Sequence, residues 1–156
     1  VIENNMYAMG TSVDRASAET ELYKRGISFE IEGEEVDGMD VLAVREAGER
    51  AVKYARSGKG PYILEMKTYR YRGHSMSDPA KYRKREEVDD VRSHHDPIDG
   101  LKKHILEAGH ADEAELKKID NEIKAIVKEA ADFSLESPEP DPGDLWTDVL
   151  KEAEVA

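Results

Sequence analysis

Residues 37–68 constrain the fold more than any other part of this chain. Asp40 is a good N-cap. Val41, Val44, Gly48, Ala51, Val52 and Ala55 then recur at helical spacing. Gly58, Gly60 and Pro61 end the pattern, and Tyr62-Ile63-Leu64-Glu65-Met66 opens a strand over 62–68. Glu35-Val36, just upstream, reads as extended. Strand, helix and strand with short connections make a βαβ unit, which implies a parallel sheet and a right-handed crossover. Small residues on the helix permit close packing on that sheet. The expected class is therefore α/β, a parallel sheet with flanking helices.

Ligands of such sheets bind beyond the carboxyl ends of the strands. Two segments leave strands there. One is Tyr69-Arg70-Tyr71-Arg72-Gly73-His74-Ser75-Met76-Ser77-Asp78-Pro79. Its arginines suit a phosphate or carboxylate through their planar forks, and its histidine suits proton traffic near neutral pH. The other is Asn4-Asn5-Met6-Tyr7, which follows the strand end Val1-Ile2. It offers amide and backbone oxygens, the ligands of hard cations such as magnesium. Together they describe a magnesium–diphosphate site. Taken singly, each has a plainer reading: Tyr/Arg alternation occurs on half-exposed strands, and Asn-Asn makes turns.

The remaining chain reads as follows. Ser17 to Arg25 is a short helix ending near Gly26, and Ser28–Ile31 and Glu35-Val36 are extended pieces separated by Gly33. Lys81 to Asp90 is an exposed helix. Asp96 caps another with Pro97 in its first turn; Ile98, Leu101, Ile105 and Leu106 face inward and Gly109 stops it. Asp112 caps the longest helix, with Leu116, Ile119, Ile123, Ile126, Val127 and Ala130 as its core face. Ser137 to Asp144 is an extended, Pro-rich acidic linker, and Leu145-Trp146-Thr147-Asp148-Val149-Leu150 restores apolar character for docking. The organisation expected is an α/β part over 1–80, a helical extension over 81–136 and a tail over 137–156. Val1 opens within a strand and is not Met, so a longer parent chain is expected.

Several classes are disfavoured. A net charge of −12 argues against sequence-independent nucleic-acid binding. No apolar run approaches the ~20 residues of a membrane-spanning helix. With no cysteine there is neither disulfide nor thiolate metal site. His94, His95, His104 and His110 lack the i, i+4 pairing of a zinc helix. No Walker, GxGxxG, GxSxG or HExxH sequence occurs.

The two long motifs carry a resemblance. Ile2 to Ser12 and Tyr69 to Pro79 closely resemble the alpha subunits of the pyruvate dehydrogenase (acetyl-transferring) component of the pyruvate dehydrogenase complex. Val36-Asp37-Gly38-Met39-Asp40, Ser57-Gly58-Lys59-Gly60-Pro61 and Leu145-Trp146-Thr147-Asp148-Val149 fit the same family, at its C-terminal portion. The resemblance implies the thiamine-diphosphate-binding α/β fold. It implies magnesium bound by the Asn5 side chain and the Tyr7 carbonyl, and diphosphate contacted by Arg70. His74 would help orient substrate and assist acyl transfer on a mobile loop, and Ser75 matches an inhibitory phosphorylation position. Implied partners are a beta subunit in a heterotetramer, the lipoyl domain of a dihydrolipoamide acetyltransferase, and pyruvate. The implied location is the cytoplasm of a bacterium or the mitochondrial matrix of a eukaryote.

Acetoin or branched-chain 2-oxo acid dehydrogenases are the alternatives within the family, and a non-catalytic assembly module is the alternative outside it. The family's Gly-Asp-Gly half of the cofactor motif is not among these residues, and Lys81 stands where many mitochondrial relatives have a second serine. The chain by itself is thus expected to be inactive, without thiamine diphosphate binding and with the loop after Arg70 disordered.

Overall fold

The computed structural model describes residues 1–149. In chain order the elements are β1 (Ile2–Asn4), β2 (Tyr7–Ala8), β3 (Thr11–Ser12), α1 (Val13–Ala16), a 3-10 segment (Leu22–Phe29), β4 (Glu32–Asp37), α2 (Val41–Arg56) and β5 (Tyr62–Lys67). Then come α3 (Arg85–His94), α4 (Pro97–Glu107), α5 (Glu113–Glu136) and a second 3-10 turn (Pro142–Trp146). The chain divides into two compact units, Val1–His110 and a second that begins at Ala111.

The first unit is built on a parallel sheet of order β1-β5-β4. Asn4 and Asp37 both stand opposite Lys67, so the three strands finish at one level and release their loops on one edge. The β4-α2-β5 unit has the expected parallel pairing. Asp40 caps α2 by accepting the N–H groups of Leu42 and Ala43 at 2.9 and 3.1 Å.

The face of α2 that meets the sheet includes Val44 and Ala51 of the expected stripe but is turned toward Ala43 and Ala47. Val36, Ala47 and Leu64 are the buried centre, with Ala43, Val44, Ala51, Tyr62 and Met66 packed around them. Val41 and Val52 are 38% and 47% exposed. Apolar residues on α2 span more than half its circumference, so periodicity leaves two candidate stripes. The stripe of alanines at 43, 47 and 51 wins because it lets the helix sit closest to the strands.

On the opposite face lies the 3-10 segment. A Cβ at Gly26 would come within 2.6 Å of the Ile31 carbonyl and 2.7 Å of Ile63 Cδ1, so only glycine allows this approach. The helix expected over 17–25 does not form: α1 ends at Ala16, and a 3-10 segment begins at Leu22 and takes in Ser28 and Phe29. Gly33 does not divide the extended pieces either; it pairs with Ile63 inside an unbroken β4. Helix α3 begins at Arg85 rather than Lys81, because Tyr82 and Arg83 are engaged in the preceding loop.

Helix α4 has the expected cap: Asp96 Oδ1 accepts from Ile98 and Asp99. Leu101 and Ile105 are half-buried, whereas Ile98 and Leu106 are exposed.

In the second unit, Asp112 and Glu115 form a capping box at the start of α5. Its apolar stripe is not a core: Ile119, Ile123, Ile126 and Val127 are all more than half exposed. Asp141 caps the 3-10 turn that interrupts the expected extended tail, and Trp146 is exposed. Leu150 lies outside the described residues. Among those residues no helix is long and apolar enough to cross a membrane.

Candidate active site

The site starts with how β1 ends. The Asn4 carbonyl accepts the Thr68 N–H at 2.9 Å, which ties the exit of β1 to the exit of β5. The Asn4 side chain is buried. Its Nδ2 donates to Glu65 Oε1 at 2.6 Å and its Oδ1 accepts the Met6 N–H at 3.0 Å. Met6 has φ of 68°, a left-handed conformation that costs a non-glycine residue about 1 kcal/mol or more. The sharp turn at Met6 sends Tyr7 into the β2-β3 hairpin, in which Tyr7 faces Ser12 and Ala8 faces Thr11.

That turn brings Asn5, Tyr7 and Arg70 together. One terminal atom of the Asn5 amide lies 2.9 Å from the Tyr7 carbonyl oxygen, and the other lies 3.1 Å from Arg70 Nη2. With its NH2 toward Tyr7 and its oxygen toward Arg70, the amide makes two hydrogen bonds. Turned over, its oxygen accepts the Tyr7 N–H at 3.4 Å and faces the Tyr7 carbonyl oxygen across 2.9 Å. Two neighbouring oxygens on an octahedral magnesium at about 2.1 Å stand about 3.0 Å apart. With the amide turned over, the oxygen pair therefore has the spacing of two magnesium ligands, and a cation between them would favour that orientation over the hydrogen-bonded one.

Arg70 joins this cluster to the loop. Its Nη1 lies 2.9 Å from His74 Nδ1. A guanidinium only donates, so in this contact Nδ1 accepts and a neutral His74 ring carries its proton on Nε2. His74 is otherwise held through its backbone: Asp78 Oδ2 accepts the His74 N–H at 2.8 Å and the Tyr82 hydroxyl at 2.9 Å, while Oδ1 accepts the Ala80 N–H at 2.9 Å. These bonds, led by that from His74 N–H and then Ala80 N–H, hold the Asp78 carboxyl below its ordinary range against a smaller opposing effect of burial. Gly73 packs on Asp78; a Cβ there would lie 2.9 Å from the Asp78 Cβ. Ser75 is exposed, with its hydroxyl 3.1 Å from that of Ser77.

Arg83 falls within the exposed helix expected over 81–90, yet it is the clasp of the loop. Its guanidinium donates to the Arg70 and Arg72 carbonyls. It also lies over the rings of Tyr69, Tyr82 and Tyr7, at 5.0, 5.4 and 5.7 Å from their centroids. Tyr7 and Tyr82 themselves approach to 5.0 Å. Beyond the clasp, Tyr69 donates to Glu87 and Tyr71 to Asp96, so α3 and the cap of α4 steady the exit of β5. In this conformation the loop is held by this set of partners. The adjacent Tyr82-Arg83 pair was the available signal, since an arginine beside an aromatic often stacks.

Among the described residues no group of three or more His, Asp or Glu side chains could hold a metal. His94 instead lies 3.1 Å from Asp90. A cavity of about 310 Å³, lined by residues including Asp40, His94, His95, Asp96 and His104, shares no residue with the Asn5–Arg70–His74 cluster.

A family model described as dehydrogenase E1 component matches residues 1–143. The chain is 59% identical over 150 residues to the "Pyruvate dehydrogenase E1 component subunit alpha" of Rhizobium meliloti (strain 1021), an alignment covering 96% of this chain and 43% of that protein. It is 59% identical to the protein of the same name from Zymomonas mobilis, covering 96% and 42%. With the somatic, mitochondrial form from Bos taurus it shares 54% identity over 141 residues, covering 90% and 36%. The chain thus spans less than half the length of these relatives.

Proposed function

The chain belongs to the dehydrogenase E1 component family, and from that premise we propose that it is the C-terminal part of an alpha subunit that decarboxylates pyruvate with thiamine diphosphate and passes the acetyl group to a lipoyl domain. The observation that carries the proposal is the convergence of the Asn5 amide, the Tyr7 carbonyl and the Arg70 guanidinium at one edge of a parallel sheet. Pyruvate is favoured over acetoin and branched-chain substrates by the names of the relatives and by the Gly73-His74-Ser75-Met76-Ser77-Asp78-Pro79 motif. The same convergence counts against a module without a site.

In this reading Asn5 and Tyr7 supply two oxygens to magnesium, and an aspartate upstream of this chain supplies a third. Arg70 binds the diphosphate, for which its fork is suited. Bound thiamine diphosphate supplies the electron sink for decarboxylation. The residues of this chain hold, orient and move protons. Arg70 accepts no proton and fixes the His74 ring, so the Nε2–H of His74 is the proton presented to substrate and to the lipoyl group. Asp78 and Arg83 keep that ring in place through the loop backbone. A phosphate on Ser75 would bring about −1.5 to −2 charge beside its chain neighbour His74 and would disturb the loop by charge and bulk together. The beta subunit completes the site, and the setting is a bacterial cytoplasm or a mitochondrial matrix.

The test is an assay of the full-length alpha subunit with its beta partner, magnesium, thiamine diphosphate, pyruvate and a lipoyl domain. Pyruvate-dependent acetylation of the lipoyl domain is expected. Turnover of another 2-oxo acid in place of pyruvate, or none at all from a correctly assembled enzyme, would overturn the proposal.

A further inference from the structure

Among the described residues one ionisable side chain is entirely buried, Glu65 at 0% exposure, in the middle strand of the sheet. A carboxylate taken out of water costs several kcal/mol unless its lone pairs are met, so its partners indicate what it does. Glu65 Oε1 accepts the Asn4 Nδ2 hydrogen bond at 2.6 Å. Oε2 accepts the Tyr23 N–H at 2.9 Å. Lys67 Nζ lies 3.2 Å from the same Oε1 and 3.3 Å from Glu35 Oε2, and so balances the buried charge.

Asn4 is the residue through which this buried charge reaches the site. Both ends of its amide are engaged: Nδ2 goes to Glu65, and Oδ1 receives the N–H of Met6, the residue held at φ of 68°. An asparagine amide can be turned over at almost no steric cost. The Glu65 carboxylate accepts only, so it dictates which end of the Asn4 amide points to it. The oxygen must then point to Met6 N–H. That bond holds the left-handed turn on which the mutual position of Asn5 and the Tyr7 carbonyl depends.

We infer that Glu65 is a positioning residue for the cation ligands: by orienting the Asn4 amide it holds the Met6 turn, and so sets the Asn5–Tyr7 oxygen pair at the spacing that magnesium requires. The inference rests on the proposed magnesium–diphosphate reading and adds to it a residue that touches neither metal nor cofactor. A purely architectural role, tying the 3-10 segment to the sheet through Tyr23, is the competing account, and the two differ in what they move.

The experiment measures Mn2+ binding by electron paramagnetic resonance to the full-length alpha subunit assembled with its beta partner, in the presence of thiamine diphosphate. Glu65→Gln presents an NH2 that competes with Asn4 Nδ2, and is expected to weaken Mn2+ binding about tenfold or more, the range of outer-shell partners at metal sites. Asn4→Ala should weaken it similarly, and the double variant no further than either single one. Glu35→Gln, which disturbs only the far side of Lys67, should leave Mn2+ affinity within about twofold of wild type. A lowered melting temperature in Glu65→Gln with unchanged Mn2+ affinity would overturn the inference. If Glu65→Gln does not assemble, Asn4→Ala is read in its place with the same two outcomes. Asn5→Ala separates the layers. Loss of Mn2+ affinity in Asn5→Ala but not in Glu65→Gln sinks this inference alone; unchanged affinity in Asn5→Ala sinks the site reading beneath it.

Discussion

The carboxyl edge of the sheet and helix α5 are both rich in charged residues, but they hold them in opposite ways. At the sheet edge the partners are far apart in sequence: Asn4 with Glu65, Tyr71 with Asp96, Arg83 with the Arg70 carbonyl. Along α5 they are one turn apart, as in Lys118–Glu122 and Lys124–Asp120. Bonds of the first kind exist only when the fold exists, and they leave buried groups stranded when one partner goes. Bonds of the second kind form in any helix and are exposed to water, which screens them. The difference teaches where this chain keeps its specificity: the edge is a designed arrangement, while α5 is a regular helix with a solvated face and an exposed apolar one.

Substitutions can break or sharpen that contrast. The largest effect is expected from Glu65→Leu, which strands the buried Asn4 Nδ2 and Tyr23 N–H. In the full-length subunit it should cost about 3 kcal/mol of stability, since each stranded group costs about 1–3 kcal/mol, read by urea denaturation. A loss under about 1 kcal/mol would place the edge in the same class as α5.

Next, His74→Ala in the assembled enzyme should lower lipoyl acetylation about 100-fold, the scale of a lost general acid–base group, with a much smaller change in cofactor affinity. Arg70→Ala should do the reverse first, weakening thiamine diphosphate binding by about 10- to 100-fold, as expected for a charge-assisted contact. Steady-state kinetics and calorimetric titration separate the two.

A smaller effect concerns pH. The folded Asp78 carboxyl sits below its ordinary value through the His74 and Ala80 N–H bonds. Its contribution to loop order is therefore complete above the ordinary aspartate range and lost as pH falls through the lowered folded value. Limited proteolysis at the loop should stay constant from neutral pH down to about 5 and rise only in stronger acid. Asp78→Asn should make the loop cleavable at neutral pH.

The smallest effect is expected on α5. Lys118→Ala removes one exposed pair and should change stability by no more than about 0.5 kcal/mol. A change of several kcal/mol would mean that the helix is held by more than its own turn-to-turn contacts.

What was legible in the sequence follows the same division. Residues whose meaning is local could be read: Asp40, Asp96 and Asp112 as caps, α2 and β5 as a βαβ half, and Asn5, Tyr7, Arg70 and His74 as polar groups that follow strand ends. Residues whose meaning is set from afar could not. Glu65 looks like any polar position in a strand until Asn4 and Tyr23, at sequence distances of 61 and 42, close over it. Arg83 looks like part of a charge run until three tyrosines surround it. Gly26 looks like a helix stop until Ile31 and Ile63 approach it closely enough to exclude a Cβ. The stripe on α5 has clear periodicity, but periodicity states only that a face is apolar, not what covers it.

The central claim is that Asn5, Tyr7 and Arg70 form the part of a magnesium–diphosphate site that this chain contributes. Its most direct test is calorimetric titration of thiamine diphosphate into the full-length alpha subunit with its beta partner, with and without magnesium, for wild type and Asn5→Ala. The account predicts tight, magnesium-dependent binding in wild type, and in Asn5→Ala a loss of affinity that extra magnesium partly restores. Equal affinity in both proteins, or binding indifferent to magnesium, would contradict it.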